Sequence, residues 1–399
     1  MVTEITEKDF LTPETLFLQM GPQHPSTHGV LRCILELDGE VVKDITPVVG
    51  YLHRGKEKIA ESRTYHQFLP HVDRLDYLSP MSNNVAYVMA IEKLCDIDVT
   101  TRCKYLRTIL AELARISSHL LWLGSAALEL GAMTIFMYTF RERETIYDLF
   151  EEISGARFTV SYMRVGGVSR DAPSGWIERV LAFVDDFPKK WNDYHTLLTE
   201  NEIFLRRTVG IGKIDKKDAV DLGLTGPNLR ASGVPYDIRK DRPYLVYDDI
   251  DWEVAVGTQC DVYERYLVRM KEMLESAKII RQCCERFPSG PVNIDNNKFI
   301  YPPRERIYST MEDLIHHFLL AQEGFIPPAG EVYFSIEAPK GELGFYFFSD
   351  GTQRPYRMKI RSPSFVNLQG LKKMCVGHLI ADVVAILGSI DIVLGEVDR

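Results

Sequence analysis

The sequence has little of what metal-binding or disulfide-bonded proteins need. Its 399 residues include seven cysteines, which form no C-x-x-C pair and no repeated spacing of metal ligands. An odd number of cysteines also argues against a complete disulfide framework. We therefore expect reduced, mainly structural thiols and no iron–sulfur cluster bound by this chain.

Motifs for nucleotide binding and for nucleophilic catalysis are also missing. The sequence contains no G-x-S-x-G, no Walker loop and no H-E-x-x-H, and the GIG at 210–212 lacks the third glycine of a dinucleotide fingerprint. The formal net charge of −9 argues against a nucleic-acid surface, which usually collects lysine and arginine on one face. The composition therefore favours a protein or small-molecule partner.

No segment has the composition of an export signal or the length of a membrane span. The first ten residues are polar and acidic, without the basic start and apolar run of a signal peptide, so we expect a cytosolic chain. The longest apolar run, 379–395, is interrupted by Asp382 and Asp391 and is shorter than the roughly 20 residues that a bilayer requires. It predicts a buried helix that continues into a buried tail.

What is present is a change from strand patterns to helix patterns along the chain. Residues 15–20 and 30–50 alternate as strands, with a hairpin turn at Asp38 and Gly39. From about residue 82, apolar residues recur every three or four positions, which predicts a long helix around 106–120. Further helices are predicted at 131–155, 176–207, 253–287 and 309–322, and a second hairpin at 331–351.

These patterns predict an α+β fold that is mainly α, with a central helical bundle between small N-terminal and C-terminal β elements. We divide the chain into a β-rich segment (1–81), a helical bundle (82–330) and a C-terminal hairpin, helix and tail (331–399). Within the bundle, the polar stretch 209–251 is long for a connector, so we expect it to wrap over the bundle or to meet a partner.

The stretch GPQHPSTHGVL (21–31) carries two histidines in the loop between the first strand and the hairpin. His24 and His28 are four residues apart, but two prolines disfavour a helical metal site and no carboxylate stands nearby in the sequence. A single histidine that donates a proton near neutral pH requires fewer assumptions than a metal site does. From these residues alone, a loop histidine that caps backbone groups is the stronger interpretation.

A second candidate lies in 51–79, which is dense in basic residues, histidine and tyrosine. Within DRLDY, Tyr77 can donate a hydrogen bond or a proton to a reduced oxygen. Composition alone favours a solvated helix and loop here. His119, His316 and His317 fit packed or solvated helix positions better than functional ones.

Seven strings, taken together, resemble one family closely. In order along the chain they are GPQHPSTHGVLR, GYLHRGKEKIAE, DRLDYLSPM, GAMTIFMYTFRERE, SGARFTVSYMRVGGV, GPNLRASGVPYDIR and VVAILGSIDIVLGEVDR. On these strings the chain is identified as a member of the family of the large quinone-site subunit, the 49 kDa or D subunit, of respiratory complex I (NADH:quinone oxidoreductase). The resemblance implies a subunit of a proton-pumping enzyme of the respiratory chain that is inert alone.

That family is similar to the large subunit of nickel–iron hydrogenases, so the resemblance implies a hydrogenase-like fold. The hydrogenase metal is held by R-x-C-x-x-C and D-P-C-x-x-C, which correspond to 74–79 and 391–396 here. All four cysteines are missing, so this chain lacks the soft ligands of a nickel–iron centre. The resemblance implies instead that a quinone headgroup occupies this cavity.

The resemblance assigns catalytic roles to three residues. His28 and Tyr77 would hydrogen-bond the two sides of the quinone headgroup and supply protons, because reduction to quinol needs two electrons and two protons. Glu129, where many relatives have aspartate, would pair with His28 and keep it charged. The same cavity would be lined by Val393 and, one helical turn either side of Glu129, by Ser125 and Met133.

The resemblance implies that the electrons come from a 4Fe–4S cluster in a neighbouring subunit. Arg54 and Arg74 match family arginines that lie against that cluster, where positive charge favours the reduced state. Many relatives have a histidine at the position of Thr159. Its absence predicts a lower and less pH-dependent cluster potential, which would suit a low-potential quinone such as menaquinone.

The implied partners are the cluster-bearing small subunit, a 30 kDa-type subunit and membrane-arm subunits, with no nucleic acid. The implied location is the cytoplasmic side of the cell membrane, as a peripheral protein. Three alternatives stay open: a non-catalytic scaffold subunit, a hydrogenase-type enzyme, which the missing cysteines disfavour, and the equivalent subunit of a ferredoxin- or deazaflavin-dependent quinone or phenazine oxidoreductase.

Overall fold

The computed structural model describes residues 15–399, so the acidic first ten residues lie outside it. The described chain opens with an antiparallel sheet whose strands lie in the order β1 (Leu16–Met20), β2 (Arg32–Asp38) and β3 (Val41–Val48). Cys33, Leu35 and Leu37 alternate along β2 and bury one face of the sheet. The chain turns into β3 at Gly39, whose φ is +61°. The predicted strands and hairpin are confirmed.

A bundle of helices follows and forms most of the described chain. It consists of α1 (Lys56–Ser62), α2 (Tyr65–Val72), α3 (Pro80–Leu94), α4 (Thr101–Glu129), α5 (Met133–Ser154), α6 (Trp176–Leu198), α7 (Glu202–Thr208), α8 (Lys216–Asp221), α9 (Pro227–Ala231), α10 (Ile238–Asp241), α11 (Val262–Glu285), α12 (Arg304–Ile307) and α13 (Met311–Gln322). A two-stranded ribbon, β4 (Met163–Arg164) and β5 (Gly167–Val168), lies between α5 and α6.

Helix α4 is the centre of this bundle, because α3, α5 and α11 all pack against it. The hydroxyl of Thr100 accepts a hydrogen bond from the backbone nitrogen of Cys103 at 3.3 Å and so caps the start of the helix. Every residue from Leu106 to Leu120 is buried, as expected for a helix enclosed on all sides. Among the described residues, no helix has the length and apolar character needed to cross a bilayer.

Two predicted helices differ from the structure at identifiable capping residues. The helix predicted at 176–207 is divided into α6 and α7, because Asn201 accepts hydrogen bonds from the backbone nitrogens of Ile203 and Phe204 and starts a new helix. The helix predicted at 253–287 begins only at α11. Its cap is Asp261, whose Oδ1 accepts a hydrogen bond from the backbone nitrogen of Glu264 at 2.8 Å.

The connector 209–251 buries two of its arginine side chains inside the bundle, although most of its other charged side chains are exposed. Arg230 is fully buried and donates hydrogen bonds to Glu272 at 2.6 Å and to Glu337 at 2.7 Å. Arg239 is also buried and forms an ion pair with Glu112 of α4 at 3.1 Å. Carboxylates inside the bundle compensate the charge of these two arginines.

The C-terminal part consists of a second antiparallel sheet and four helices. The elements are β6 (Gly330–Ala338), β7 (Gly341–Ser349), β8 (Arg357–Arg361), α14 (Pro363–Asn367), α15 (Leu371–Cys375), α16 (Ile380–Ile390) and α17 (Leu394–Asp398). Helix α16 and the tail after it are buried, as the apolar run predicted. The α+β, mainly α fold is confirmed, whereas the division into three segments stays a prediction.

Candidate functional site

The loop that carries the two histidines is built around one short helical turn, Pro25–Thr27. Nδ1 of His24 accepts a hydrogen bond from the backbone nitrogen of Ser26 at 3.2 Å and caps this turn. His28 ends the turn with a left-handed backbone, at a φ of +52°. His24 therefore shapes the loop, as predicted, and His28 is presented to the end of α4.

His28 contacts Glu129, the last residue of α4. Nε2 of His28 lies 3.2 Å from Oε1 of Glu129, which is an ion-pair distance without the alignment of a hydrogen bond. The two side chains keep only 15% and 14% of their exposure, so the pair is largely shielded from water. The two residues that the sequence analysis paired are in contact, and their chemical roles stay predictions.

The carboxylate favours the charged form of His28. Burial alone would lower the pKa of His28, but the adjacent Glu129 and the charge of Asp391 raise it by more, so the pKa lies above its ordinary value. A histidine with a raised pKa keeps its proton to a higher pH than a free imidazole does, and it can release that proton to an acceptor. The imidazole of His28 is therefore suited to supply a proton.

Gly388 on α16 leaves room for this contact. A Cβ atom at this position would lie 2.7 Å from Oε2 of Glu129 and 3.5 Å from Nε2 of His28. The carbonyl oxygen of Gly388 accepts a hydrogen bond from Nε1 of Trp122 at 2.7 Å, which fixes α16 against α4. Sequence reasoning missed Gly388, although a glycine inside an apolar helix is a signal of close approach.

Tyr77 lies beside the same turn of α17 that the His28 loop touches. A Cβ atom at Gly29 would lie 3.1 Å from the side chain of Leu394, and one at Gly395 would lie 3.2 Å from Cδ1 of Tyr77. Burial, and then the charge of Asp76, raises the pKa of the Tyr77 hydroxyl. Tyr77 therefore keeps its proton at neutral pH and can act as a donor.

The two segments that correspond to the hydrogenase motifs meet at Lys340. Nζ of this buried lysine donates hydrogen bonds to Asp76 at 3.0 Å and to Ser118 at 2.9 Å, and it lies 3.7 Å from Asp391. Sequence reasoning missed Lys340, because a lysine next to a glycine at a hairpin turn usually faces water. The charge of this lysine holds the two segments together inside the protein.

Glu396 adds a third carboxyl group to this buried cluster. Its Oε1 accepts a hydrogen bond from the backbone nitrogen of Ser364 at 3.0 Å. Burial and the charge of Asp76 raise the pKa of Glu396 to about 8, although Lys340 acts in the opposite direction. Glu396 is therefore mainly protonated at neutral pH, which relieves the repulsion among three carboxyl groups around one lysine.

The predicted cavity-lining residues lie at different places around Glu129 and Tyr77. Oγ of Ser125 donates a hydrogen bond to its own helix, at the carbonyl oxygen of Trp122. Met133 is 58% exposed and begins α5. The expectation that Met133 stands one helical turn beyond Glu129 is wrong, because α4 ends there and the chain bends at Gly131. Val393 is buried immediately before α17.

Arg54 and Arg74 lie together on the surface. Nη2 of Arg54 donates a hydrogen bond to the carbonyl oxygen of Arg74 at 3.1 Å, and the buried Lys56 donates to the same oxygen. Burial, and then the charge of Arg54, lowers the pKa of Lys56 to about 7. Thr159 follows Phe158, whose ring centre is 6.4 Å from that of Tyr77. The predicted cluster-facing residues are therefore near one another and near Tyr77.

The described side chains offer no site for a resident metal. Across residues 15–399, histidine, cysteine, aspartate and glutamate nowhere form a group of three that could hold a metal ion. All seven cysteines are free thiols, and five of them are buried.

Comparisons with known proteins give the family. The sequence profile described as "Respiratory-chain NADH dehydrogenase, 49 Kd subunit" matches residues 129–399. The chain is 56% identical to the D subunit of NADH-quinone oxidoreductase from Geotalea uraniireducens (strain Rf4), over 97% of this chain and 99% of that protein. It is also 53% identical to a D subunit of NADH-quinone oxidoreductase from Koribacter versatilis (strain Ellin345), over 97% of this chain and 96% of that protein. As the resemblance predicted, the chain belongs to the family of the 49 kDa subunit of the respiratory-chain NADH dehydrogenase, an oxidoreductase.

Proposed function

We propose that this chain forms the chamber in which the complex reduces a quinone, with the headgroup between His28 and Tyr77. The observation that carries the proposal is the contact of His28 with Glu129 at 3.2 Å, which favours a charged histidine in a shielded site. The nearby Tyr77 supports it, because its raised pKa keeps a second proton available. Two different donors would thus face one substrate.

The chemistry needs two electrons and two protons for each quinone. His28 donates a proton from its imidazolium ring to one quinone oxygen, and Tyr77 donates one from its hydroxyl to the other. Loss of the His28 proton leaves the carboxylate of Glu129 without its cationic partner. Glu129 therefore favours the return of a proton to His28 after each turnover.

The electrons come from a 4Fe–4S cluster held by a neighbouring subunit. Arg54 and Arg74 face this cluster in the proposal, and their exposed positive charge favours its reduced state. Thr159 stands where a titratable histidine would couple reduction to protonation. We therefore assign a low and weakly pH-dependent potential to the cluster, suited to a quinone such as menaquinone.

The proposal also places the chain within a larger assembly. Its partners are the cluster-bearing small subunit, a 30 kDa-type subunit and the membrane-arm subunits of a proton-pumping complex. The chain then sits on the cytoplasmic side of the cell membrane as a peripheral subunit. The exposed arginines Arg54 and Arg74 mark the side that faces the small subunit.

The test is the quinone-reductase activity of the intact, membrane-extracted complex carrying Tyr77→Phe or His28→Gln. Each variant removes one proton donor, so we expect activity to fall about 100-fold or more. Tyr308→Phe is the matched control, because Tyr308 is 78% exposed and lies outside the proposed chamber. Subunit content and cluster content are measured in every variant.

Unchanged activity in assembled Tyr77→Phe and His28→Gln complexes would move the chemistry away from these residues. The chain would then act as a scaffold subunit.

A further inference from the structure

A cavity of about 300 Å³ lies between α2, the β4–β5 ribbon and the segment before α12. Its wall includes His66, Arg164, Asn293, Phe299 and Tyr301. None of these residues has a role in the proposed quinone chemistry. The volume is at the lower end of the range for small-molecule sites in proteins.

Arg164 brings to this cavity a positive charge that has no direct ion pair among the described residues. Its Nη1 donates hydrogen bonds to the carbonyl oxygens of Ser161 and Met163, but within residues 15–399 no carboxylate forms an ion pair with it. Asp73 is close enough to act on the charge of Arg164. The oxygens of Asp73, however, are engaged by Asn84 and Ser161.

Such a charge is costly unless an anion accompanies it. Burial lowers the pKa of Arg164, which reflects the loss of hydration around its guanidinium group. A guanidinium group binds carboxylates and phosphates with two parallel hydrogen bonds. Nε and Nη2 of Arg164 make no hydrogen bond within the described part of the chain and are therefore available for such a pair.

His66 places a second polar group at the same cavity. Its Nε2 is buried and has no hydrogen-bond partner among the described residues. The imidazole is held in place by Phe325, which it meets edge to face at 5.0 Å, and by Tyr301 at 5.7 Å. A buried polar atom without a partner costs free energy, and this atom belongs to a side chain of the cavity wall.

The remaining wall suits a ligand that is partly apolar. Oδ1 of Asn293 accepts a hydrogen bond from the backbone nitrogen of Val168 at 2.8 Å, so the amide nitrogen of Asn293 serves as a further donor. Phe299 and Ile300 provide apolar surface. The cavity therefore combines one full positive charge, several donors and an apolar wall.

We propose that this cavity is a binding site for a small oxyanion, a carboxylate or phosphate group. Arg164 supplies the charge that holds the anion, and Nε2 of His66 and the amide nitrogen of Asn293 orient it. The site does not depend on the proposed quinone chemistry.

The test is calorimetric titration of inorganic phosphate, and separately of malonate, into the purified complex that contains this chain, at constant ionic strength set with chloride. We expect saturable binding of at least one of the two anions. Arg164→Gln should weaken it at least about tenfold, because a charge-assisted pair is lost. The matched control is Arg170→Gln, which removes the same charge from an exposed arginine outside the cavity and should leave binding unchanged.

A second variant guards against a folding defect in Arg164→Gln. His66→Phe keeps an aromatic ring against Phe325 and removes both ring nitrogens, so it should weaken binding by about threefold or more. The proposal is wrong if wild type shows no saturable binding of either anion, or if neither Arg164→Gln nor His66→Phe weakens it. An acidic side chain of a neighbouring subunit seen against Arg164 in a map of the intact complex would also overturn it.

Discussion

Gly388→Ala would test the contact of His28 with Glu129 by adding a single methyl group. The new Cβ would lie 2.7 Å from Oε2 of Glu129, which is closer than real side chains pack. Oε2 is the end of a flexible side chain, so the carboxylate can rotate away while the backbone of α16 stays in place. The substitution therefore removes the partner of His28 without changing either residue.

The expected cost in stability is small. Alanine is favoured over glycine inside a helix by about 0.5–1 kcal/mol, whereas an interaction with a charged partner contributes about 1.5–3 kcal/mol. The net loss is then about 0.5–2.5 kcal/mol, which leaves a domain of ordinary stability folded. The complex carrying Gly388→Ala should assemble normally.

The chemical effect is a lower pKa for His28. With Glu129 displaced, burial dominates, and burial lowers the pKa of His28. Protonated His28 is the proposed donor, and it is populated only below its pKa. The alkaline decline of quinone-reductase activity should therefore move to lower pH, and activity at neutral pH should fall.

The assay is quinone-reductase activity as a function of pH in the assembled complex. Gly370→Ala is the matched control, because the added Cβ there meets the flexible tip of Met374 at 3.1 Å and not a charged group. An unchanged pH profile in assembled Gly388→Ala would refute the reasoning. An equal shift in Gly370→Ala would refute it as well.

Three further predictions follow from buried or exposed charges. The raised pKa of Glu396 means that the native state keeps a proton that the unfolded chain loses, so stability falls as pH rises from 4.5 to about 8. Thermal melts of Glu396→Gln should lack this fall, and parallel pH dependence in the variant and wild type would contradict it. Arg230→Met leaves Glu272 and Glu337 buried without their cation, so denaturant unfolding should show that the free energy of unfolding falls by about 3–5 kcal/mol. A fall of less than about 1 kcal/mol, which is typical of a surface ion pair, would contradict this prediction. Thr159→His should raise the potential of the partner's cluster and make it pH-dependent in redox titrations of the complex, and a steep pH dependence already present in wild type would refute the assignment.

The sequence was sufficient to predict a strand or a helix where one hydrophobic pattern repeats over the whole element. The alternation of Cys33, Leu35 and Leu37 predicted the first hairpin, and the apolar repeat around 106–120 predicted α4. Single residues that end or start a helix were harder to place. Asn201 divides a predicted helix in two, because one side-chain amide satisfies backbone groups that the periodicity of the neighbouring residues does not reveal.

The candidate site was predictable only for residues inside recognisable strings. His28 and Tyr77 lie in such strings and Glu129 lies two residues before one, whereas the contacts of Lys340 and Gly388 with distant segments are not visible in the sequence. A sequence pattern records which residues are polar, but it does not record which charges face each other inside a fold. For the same reason, the sequence did not reveal that Arg230 is buried.

Asp391 connects the two proposed proton donors electrostatically. Its charge raises the pKa of His28, and it lies 3.7 Å from Lys340, which in turn bonds to Asp76 beside Tyr77. When His28 gives up its proton, Asp391 loses one of its cationic neighbours, which also include Lys340 and Arg269. In the proposed function, loss of the His28 proton therefore changes the charge around Lys340, which also bonds to Asp76 beside Tyr77. The two proposed proton transfers would then be coupled through Asp391, Lys340 and Asp76.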